Sequence, residues 1–261
     1  MIVFELVGEN ENHPIYQTLT MENGARQYDF LKSAVEASIA LGRPFLSTQV
    51  IKALNYHAIA CLHAYAGEFR PCQVYVGNHT PPAEYRVQAL MDDFVNWVNR
   101  NLESADPVAL AAFALWRFNW IHPFINGNGR TARAACYFIL CIKAGGWLPG
   151  SVILPELIKR ERVRYVSGLQ FADATGGDLR LLHGLLSDLL FEQLHGMPPA
   201  DGGAWAAAAA SLAPAPNPAP AGAQDDANSA AAGENAAPDP NRGANAAGNA
   251  GDNAELPGPS A

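Results

Sequence analysis

Ile121-His122-Pro123-Phe124-Ile125-Asn126-Gly127-Asn128-Gly129-Arg130-Thr131-Ala132-Arg133 is a loop set between two helical patterns. Upstream, Asp106-Pro107 opens a helix, because Asp caps well and Pro fits the first helical position, where no N–H is needed. Val108, Leu110, Phe113, Ala114 and Trp116 carry that helix towards Trp120. Downstream, Arg130 to Lys143 reads as a second, mostly apolar helix that stops at Gly145-Gly146. Between them, Gly127-Asn128-Gly129 lets consecutive backbone N–H groups turn into a concave nest just ahead of a helix N-terminus, and the two together bind phosphate. Arg130 and Arg133 are three apart, so both can present forks to phosphate oxygens. His122 enters from the other side of the loop as a base suited to neutral pH. Each part has a plainer reading: a structural loop histidine, an ordinary turn, arginines facing water. Their ordered coincidence in one stretch is what points to a phosphate site.

The 261 residues are not of one kind. Residues 198–261 are Ala, Pro, Gly, Asn and Asp, with Trp205, Leu212 and Leu256 almost the only large apolar side chains. Such a composition buries too little apolar area to offset ordering entropy, so a disordered tail is expected, and Ala206–Ala210 is too short for a stable helix. Seven tail acids (Asp201, Asp225, Asp226, Glu234, Asp239, Asp252, Glu255) against Arg242 give a net −6. The whole chain is −8, which leaves −2 for the rest; neither part has the basic character of a nucleic-acid binder. The rest is long enough for one core that buries roughly 70% of its unfolded surface. Met1 to Val7 lacks a basic start and a long apolar run, and no stretch approaches the roughly 20 apolar residues of a membrane span. The expectation is a cytoplasmic protein with no membrane partner. Cys61, Cys72, Cys136 and Cys141 then read as free thiols rather than disulfides.

Met1 to Gln17, polar and interrupted by Pro14, reads as an irregular segment (1–17) docking on the body. Thr18 is placed to cap a helix with Glu22 in its first turn. Tyr28, Leu31, Val35 and Ile39 recur at helical spacing up to Gly42-Arg43-Pro44. Ser47 or Thr48 caps a helix running to about Tyr65. His57 and Cys61 share a face there, but no second pair completes a zinc site, so packing is the better reading. Cys72 to Val76 alternates, Gly77-Asn78 turns, and Pro81-Pro82 forbids further pairing: a short β-hairpin that must lie on the helices. Tyr85 to Arg100 is amphipathic. Glu156 to Ala174 predicts a helix with a charged, solvated middle, and Asp178 caps a final leucine-striped helix to His195.

His122-Pro123-Phe124, Asn126-Gly127-Asn128-Gly129-Arg130 and Arg133 together resemble the Fic (Fic/Doc) family motif, H-x-F-x-[D/E/N]-G-N-G-R-x-x-R, at every fixed position. The resemblance implies an all-α Fic-like helical domain over residues 18–197, with strong specificity at 122–133. It implies an ATP-using enzyme that moves AMP to a hydroxyl of a target protein. On that resemblance His122 is the base, Gly127, Asn128 and Gly129 hold phosphate through their backbone, and Arg130 and Arg133 contact phosphate. Residue 126 would place Mg2+. Active members commonly have Asp or Glu where this chain has Asn126, whose amide oxygen can ligate magnesium but adds no charge. Two alternatives therefore stay open: transfer of another nucleotide or phosphoryl group, or a non-catalytic nucleotide-binding interaction protein. The segment Val74-Tyr75-Val76-Gly77-Asn78-His79-Thr80 matches the family's flap, which lines up target peptide by strand addition. Thr18, Glu22 and Asn23 match the family's inhibitory [S/T]-x-x-x-E-[G/N] segment, whose Glu would pair with Arg133.

Overall fold

The centre of the molecule is a pair of helices, α5 (Pro107–Ile121) and α6 (Asn128–Ala144), joined by the loop at 122–127. Asp106 caps α5 by accepting from the Ala109 N–H at 2.8 Å, and Gly145, in the left-handed region at φ 74°, ends α6. Both helices are apolar on nearly all sides, which is the pattern of a helix covered by neighbours. Phe118, Phe124 and Phe138 are fully buried, each contributing roughly 1.5–3 kcal/mol by removal of apolar area from water. The computed structural model describes residues 2–77 and 79–196. The expected tail, 198–261, and the flap residue Asn78 lie outside the described residues.

Around this pair stand α2 (Pro14–Ala40), α3 (Thr48–Ile59) and α4 (Val87–Asn101) on one side, and α7 (Leu154–Arg160), α8 (Arg162–Ala174) and α9 (Arg180–His195) on the other; a four-residue α1 (Val3–Leu6) leads the chain. Ser47 caps α3, accepting from the Val50 N–H at 3.1 Å. Leu182, Leu185, Leu186 and Leu189 close the core from α9, as their stripe predicts. The expected all-α fold is found, and no helix among the described residues is long and apolar enough to cross a membrane. All four cysteines are free thiols, with Cys136 and Cys141 buried.

Five expectations need correction. Residues 1–17 are not irregular: they hold α1 and the first turn of α2. Pro14 does not interrupt the chain but occupies the first turn of α2, where its missing N–H costs nothing, and the His13 ring caps it by accepting from the Ile15 N–H. Thr18 is therefore inside a 27-residue helix and caps nothing. The helix expected to reach Tyr65 stops at Ile59, because Ala60 is extended and Cys61 and Tyr65 adopt positive φ (63° and 58°). The carbonyls this frees are met by the N-terminal segment, where Val3 and Phe4 donate to Cys61 and Leu62 at 2.9 and 3.1 Å. The helix expected over 156–174 is two, broken at Glu161 (φ −86°, ψ 37°). Finally, among the described residues of 72–80 no β-hairpin forms: a single antiparallel bridge joins Val76 and His79, and the two prolines at 81 and 82 leave no room to extend it.

Two buried amides fix how α2 rotates on α3. Asn23 donates to the Ala60 carbonyl and Gln27 to the Leu54 carbonyl, each at 2.9 Å. Leaving either unpaired would cost about 1–3 kcal/mol, so the phase of the long helix is set.

Candidate active site

The loop takes its shape from one residue. His122 sits at the C-terminal end of α5 in the left-handed region, φ 51° and ψ 60°, so the chain doubles back at once. Its ring Nδ1 lies 3.4 Å from the Asn119 carbonyl, which only accepts; Nδ1 therefore carries the proton and Nε2 is left with its lone pair. Burial holds this imidazole far below its ordinary value, at about 4, with the field of His79 and Arg70 acting the same way. The ring is neutral at pH 7.

Gly127 makes the second turn. Its φ is 77°, and a Cβ there would come within 2.7 Å of the Ile59 side chain and 3.0 Å of the Asn55 amide. Both the conformation and the space call for glycine. Helix α6 starts at Asn128, two residues earlier than the sequence suggests, so Gly129 lies in the first helical turn rather than in a nest of alternating glycines. The N–H groups of Asn128, Gly129 and Arg130 have no backbone partner, while Thr131 closes the first helical bond to Gly127. The Asn128 side chain does not face a ligand: it is buried and brackets Phe124, accepting from its N–H at 2.9 Å and donating to its carbonyl at 2.7 Å.

The two arginines differ. Arg130 donates to the Ala58 carbonyl at 2.6 Å and to the Asn126 Oδ1 at 3.2 Å, which ties the helix start to α3. Arg133 makes no hydrogen bond or ion pair among the described residues, although burial opposes its charge. Both line a cavity of about 690 Å³. The opposite wall is α2, through Gln17, Thr20, Met21 and Gly24. The Thr20 hydroxyl is buried there without a partner, and a Cβ at Gly24 would meet nothing within 4 Å.

Asn126 is the departure from the expected metal position. Its Oδ1 accepts from its own chain at Gly127 N (2.6 Å) and from Arg130, and its Nδ2 points outward to Glu11 at 3.2 Å. The oxygen a metal would need is taken up inside the loop. Glu22 is also not where the motif match puts it. It pairs with Arg26 at 3.2 Å on the solvent side of α2, and not with Arg133. At about 100° per residue, burying Asn23 and turning Met21 to the cavity leaves Glu22 facing away from it. Glu22→Gln is accordingly expected to change stability by less than about 0.5 kcal/mol, with transfer unaltered. A several-fold gain in labelling would mean that the carboxylate reaches the site after all.

Three residues the sequence did not mark hold the loop. Buried Arg70 donates Nε to the His122 carbonyl and Nη1 to the Cys72 carbonyl, each at 2.9 Å, and Nη2 to the Pro82 carbonyl, while its own N–H meets the Pro123 carbonyl at 2.8 Å. Fully buried Asn55 donates to the Asn126 carbonyl at 2.9 Å and accepts from Gly67 N at 3.0 Å. Glu11 reaches in from the N-terminal segment. No local pattern reveals any of them, since each acts across a long stretch of chain.

The flap segment lies beside the histidine. His79 Nε2 meets the Trp120 carbonyl at 2.9 Å, and Gln73 donates to the Pro81 carbonyl at 2.9 Å, so the 73–81 loop is pinned at both ends. Tyr75 is 75% exposed and Val76 39%; Val74 is half-buried and Gly77 and Thr80 are open.

Residues 45–140, from before α3 through most of α6, match the model of the Fic/DOC family. The match takes in the loop at 122–127 together with α5 and most of α6. "Protein adenylyltransferase Fic" of Drosophila willistoni is 42% identical over 115 residues, which is 44% of this chain and 21% of that protein. The counterpart from Drosophila grimshawi is 42% identical over the same length. The chain thus spans about a fifth of the length of these curated relatives. Among solved structures, a Fic-domain-containing signaling protein from Bacteroides thetaiotaomicron superposes with a TM-score of 0.59 at 23% identity, covering 81% of this chain and 80% of that one. Fic-1 from C. elegans gives 0.56 at 24%, covering 68% and 49%. These likenesses establish the Fic fold.

Proposed function

We propose that the chain is a protein adenylyltransferase: it moves AMP from ATP to a hydroxyl of a target protein. The observation that carries this reading is Arg133. A desolvated guanidinium that makes no hydrogen bond or ion pair is costly to keep. Here it opens on a cavity, one helical turn from three free N–H groups and the positive end of α6, a combination that makes sense with a polyphosphate bound. The likeness to relatives named adenylyltransferase over 115 residues supports the same chemistry.

On this reading the β- and γ-phosphates sit against Arg133 and the first turn of α6, and the target hydroxyl meets the α-phosphorus beside His122. Nε2 of His122 takes the hydroxyl proton as the new O–P bond forms. The bond from the α-phosphorus to the bridging oxygen breaks, and pyrophosphate leaves. The base need only remove a proton already acidified by attack on phosphorus, so a pKa of about 4 is compatible with its task. Holding the phosphates in line supplies the larger share of the rate. Magnesium, which neutralises phosphate charge when bound, does not fit Asn126 as that side chain stands. The exposed strip at Val74–Val76 is suited to receive an extended target segment as an added strand, and His79 anchors that strip next to His122.

The test is direct. Incubation with ATP and cell lysate should add the mass of AMP to a hydroxyl side chain. Gly24→Leu should weaken ATP binding and transfer together, by about tenfold or more, since its side chain would fill the cavity. The fold should be kept, because leucine outranks glycine in a helix by roughly 0.8–1 kcal/mol. Unchanged ATP binding in that variant would place the nucleotide elsewhere.

A further inference from the structure

One cation near His122 has no part in the reaction described above. Arg117 stands on α5 five residues before His122, roughly 7.5 Å along the helix axis. Its half-buried guanidinium lies over the Trp120 ring, 4.2 Å from the centroid, and 5.9 Å from that of Trp116. Trp116 is buried and held by Asp173, which accepts from its Nε1 at 2.8 Å, while the Trp120 carbonyl meets His79. Among the described residues Arg117 makes no hydrogen bond or ion pair, although burial opposes its charge. The charged groups that act on it are Asp93 of α4, exposed and outside ion-pair distance, and Arg86, of the same sign.

The tryptophan faces steady this cation while its N–H donors stay unused. A steadied fork with free donors matches a carboxylate. Arg117 does not line the cavity that carries Arg130 and Arg133, which leaves it free of the nucleotide. It belongs to the target side instead. The His79 ring, 6.4 Å from that of Trp120 between centroids, ties Trp120 to the flap segment, where Tyr75 is 75% exposed; Tyr85, next to Arg86, is 81% exposed. An extended chain laid along Val74–Val76 advances about 3.3 Å per residue, so the offset between Arg117 and His122 equals about two or three of its residues.

We propose that Arg117 is a specificity point for the target protein: as an extended target segment runs past the flap, a carboxylate about two to four residues from the modified hydroxyl pairs with this guanidinium. The proposal rests on the transferase reading above. What it adds is a sequence preference, an acidic residue at a set distance on one side of the acceptor, where backbone pairing with the flap alone reads no side chain.

Fluorescent peptides test it on the full chain by anisotropy. Each has one central threonine in an extended Val/Ala background, with a single glutamate, or glutamine as control, moved along it. Glutamate about two to four positions to one side of the threonine should bind about tenfold or more tighter than glutamine there, and the gain should shrink as salt is raised. Arg117→Gln should bring that preference to within about twofold and bind the glutamine peptides as the wild type does. Arg117→Glu should prefer lysine over glutamate at the same position, a reversal that a packing role would not produce. Glutamate peptides that bind the wild type no tighter than their glutamine counterparts at any position overturn the proposal, whatever the stability of the variants. So does an equal loss for both peptide sets in Arg117→Gln, which would make the side chain a packing element. Labelling of lysate proteins by the wild type reads the transferase separately. Transfer without a glutamate preference removes the docking point alone, and a preference without transfer removes the transferase reading alone.

Discussion

His122→Ala should bind ATP with close to wild-type affinity and transfer AMP about 10²–10⁴-fold more slowly. On the proposed function the phosphates meet Arg133 and the first turn of α6, and the histidine contributes to none of those contacts. What the variant loses is the lone pair of Nε2, the one the Asn119 contact keeps free. The wild-type profile of kcat/KM against pH should be flat between about 6 and 8, with its acid limb near the low pKa that burial imposes, about 4. Stability should follow the same group. The folded pKa lies below that of an exposed histidine, so between about 6.5 and 4 the unfolded chain binds the extra proton and stability falls as pH falls. His122→Ala should show a shallower loss of melting temperature over that window. Transfer by the variant at near wild-type rate would remove the base from the mechanism.

Arg70→Met should cost about 3–5 kcal/mol of stability and lower transfer by roughly 10²-fold, with ATP still bound. The guanidinium satisfies the carbonyls of His122, Cys72 and Pro82 from one buried position. Methionine fills a similar volume but leaves those acceptors without donors. The loop and the flap segment would lose their shared tie, and a displacement of about 1 Å at the reacting histidine is enough for a loss of that size. A melting temperature unchanged in the variant would show that water replaces the side chain at little cost. Retained stability with lost transfer would make positioning its sole role.

The sequence stretch at 122–133 was legible because its meaning is local. Glycine at a positive φ, a free helix start and two arginines a turn apart all follow from neighbours in the chain. The helices α3 to α6 and α9 were legible for the same reason, through caps and apolar spacing. Glu22 was misplaced because a short motif fixes spacing but not rotation; that is set by Asn23 and Gln27 on α3, a contact between distant residues. Pro14 reads as a break from sequence alone because the same residue marks both a helix start and an irregular segment. The flap has the residues of a hairpin, but with prolines at 81 and 82 it keeps a single bridge. Arg70, Asn55 and Glu11 gave no signal, since each is a polar residue whose partner in the loop stands more than fifty positions away in sequence.

Asn55 and Arg130 rivet the 126–130 turn to α3 through Asn126 and Ala58. The turn and that helix consequently move as one body. Under the proposed function, nucleotide entry by peeling the loop open would first break buried hydrogen bonds, and entry by the other wall would not. That wall is made of side chains, Met21 among them at 69% exposure. Swings of exposed side chains take nanoseconds, whereas opening a riveted backbone turn is a sub-global event. On the proposed function the molecule would separate two clocks: a fast wall of side chains through which nucleotide enters, and a slow, protected turn that keeps its amides in place.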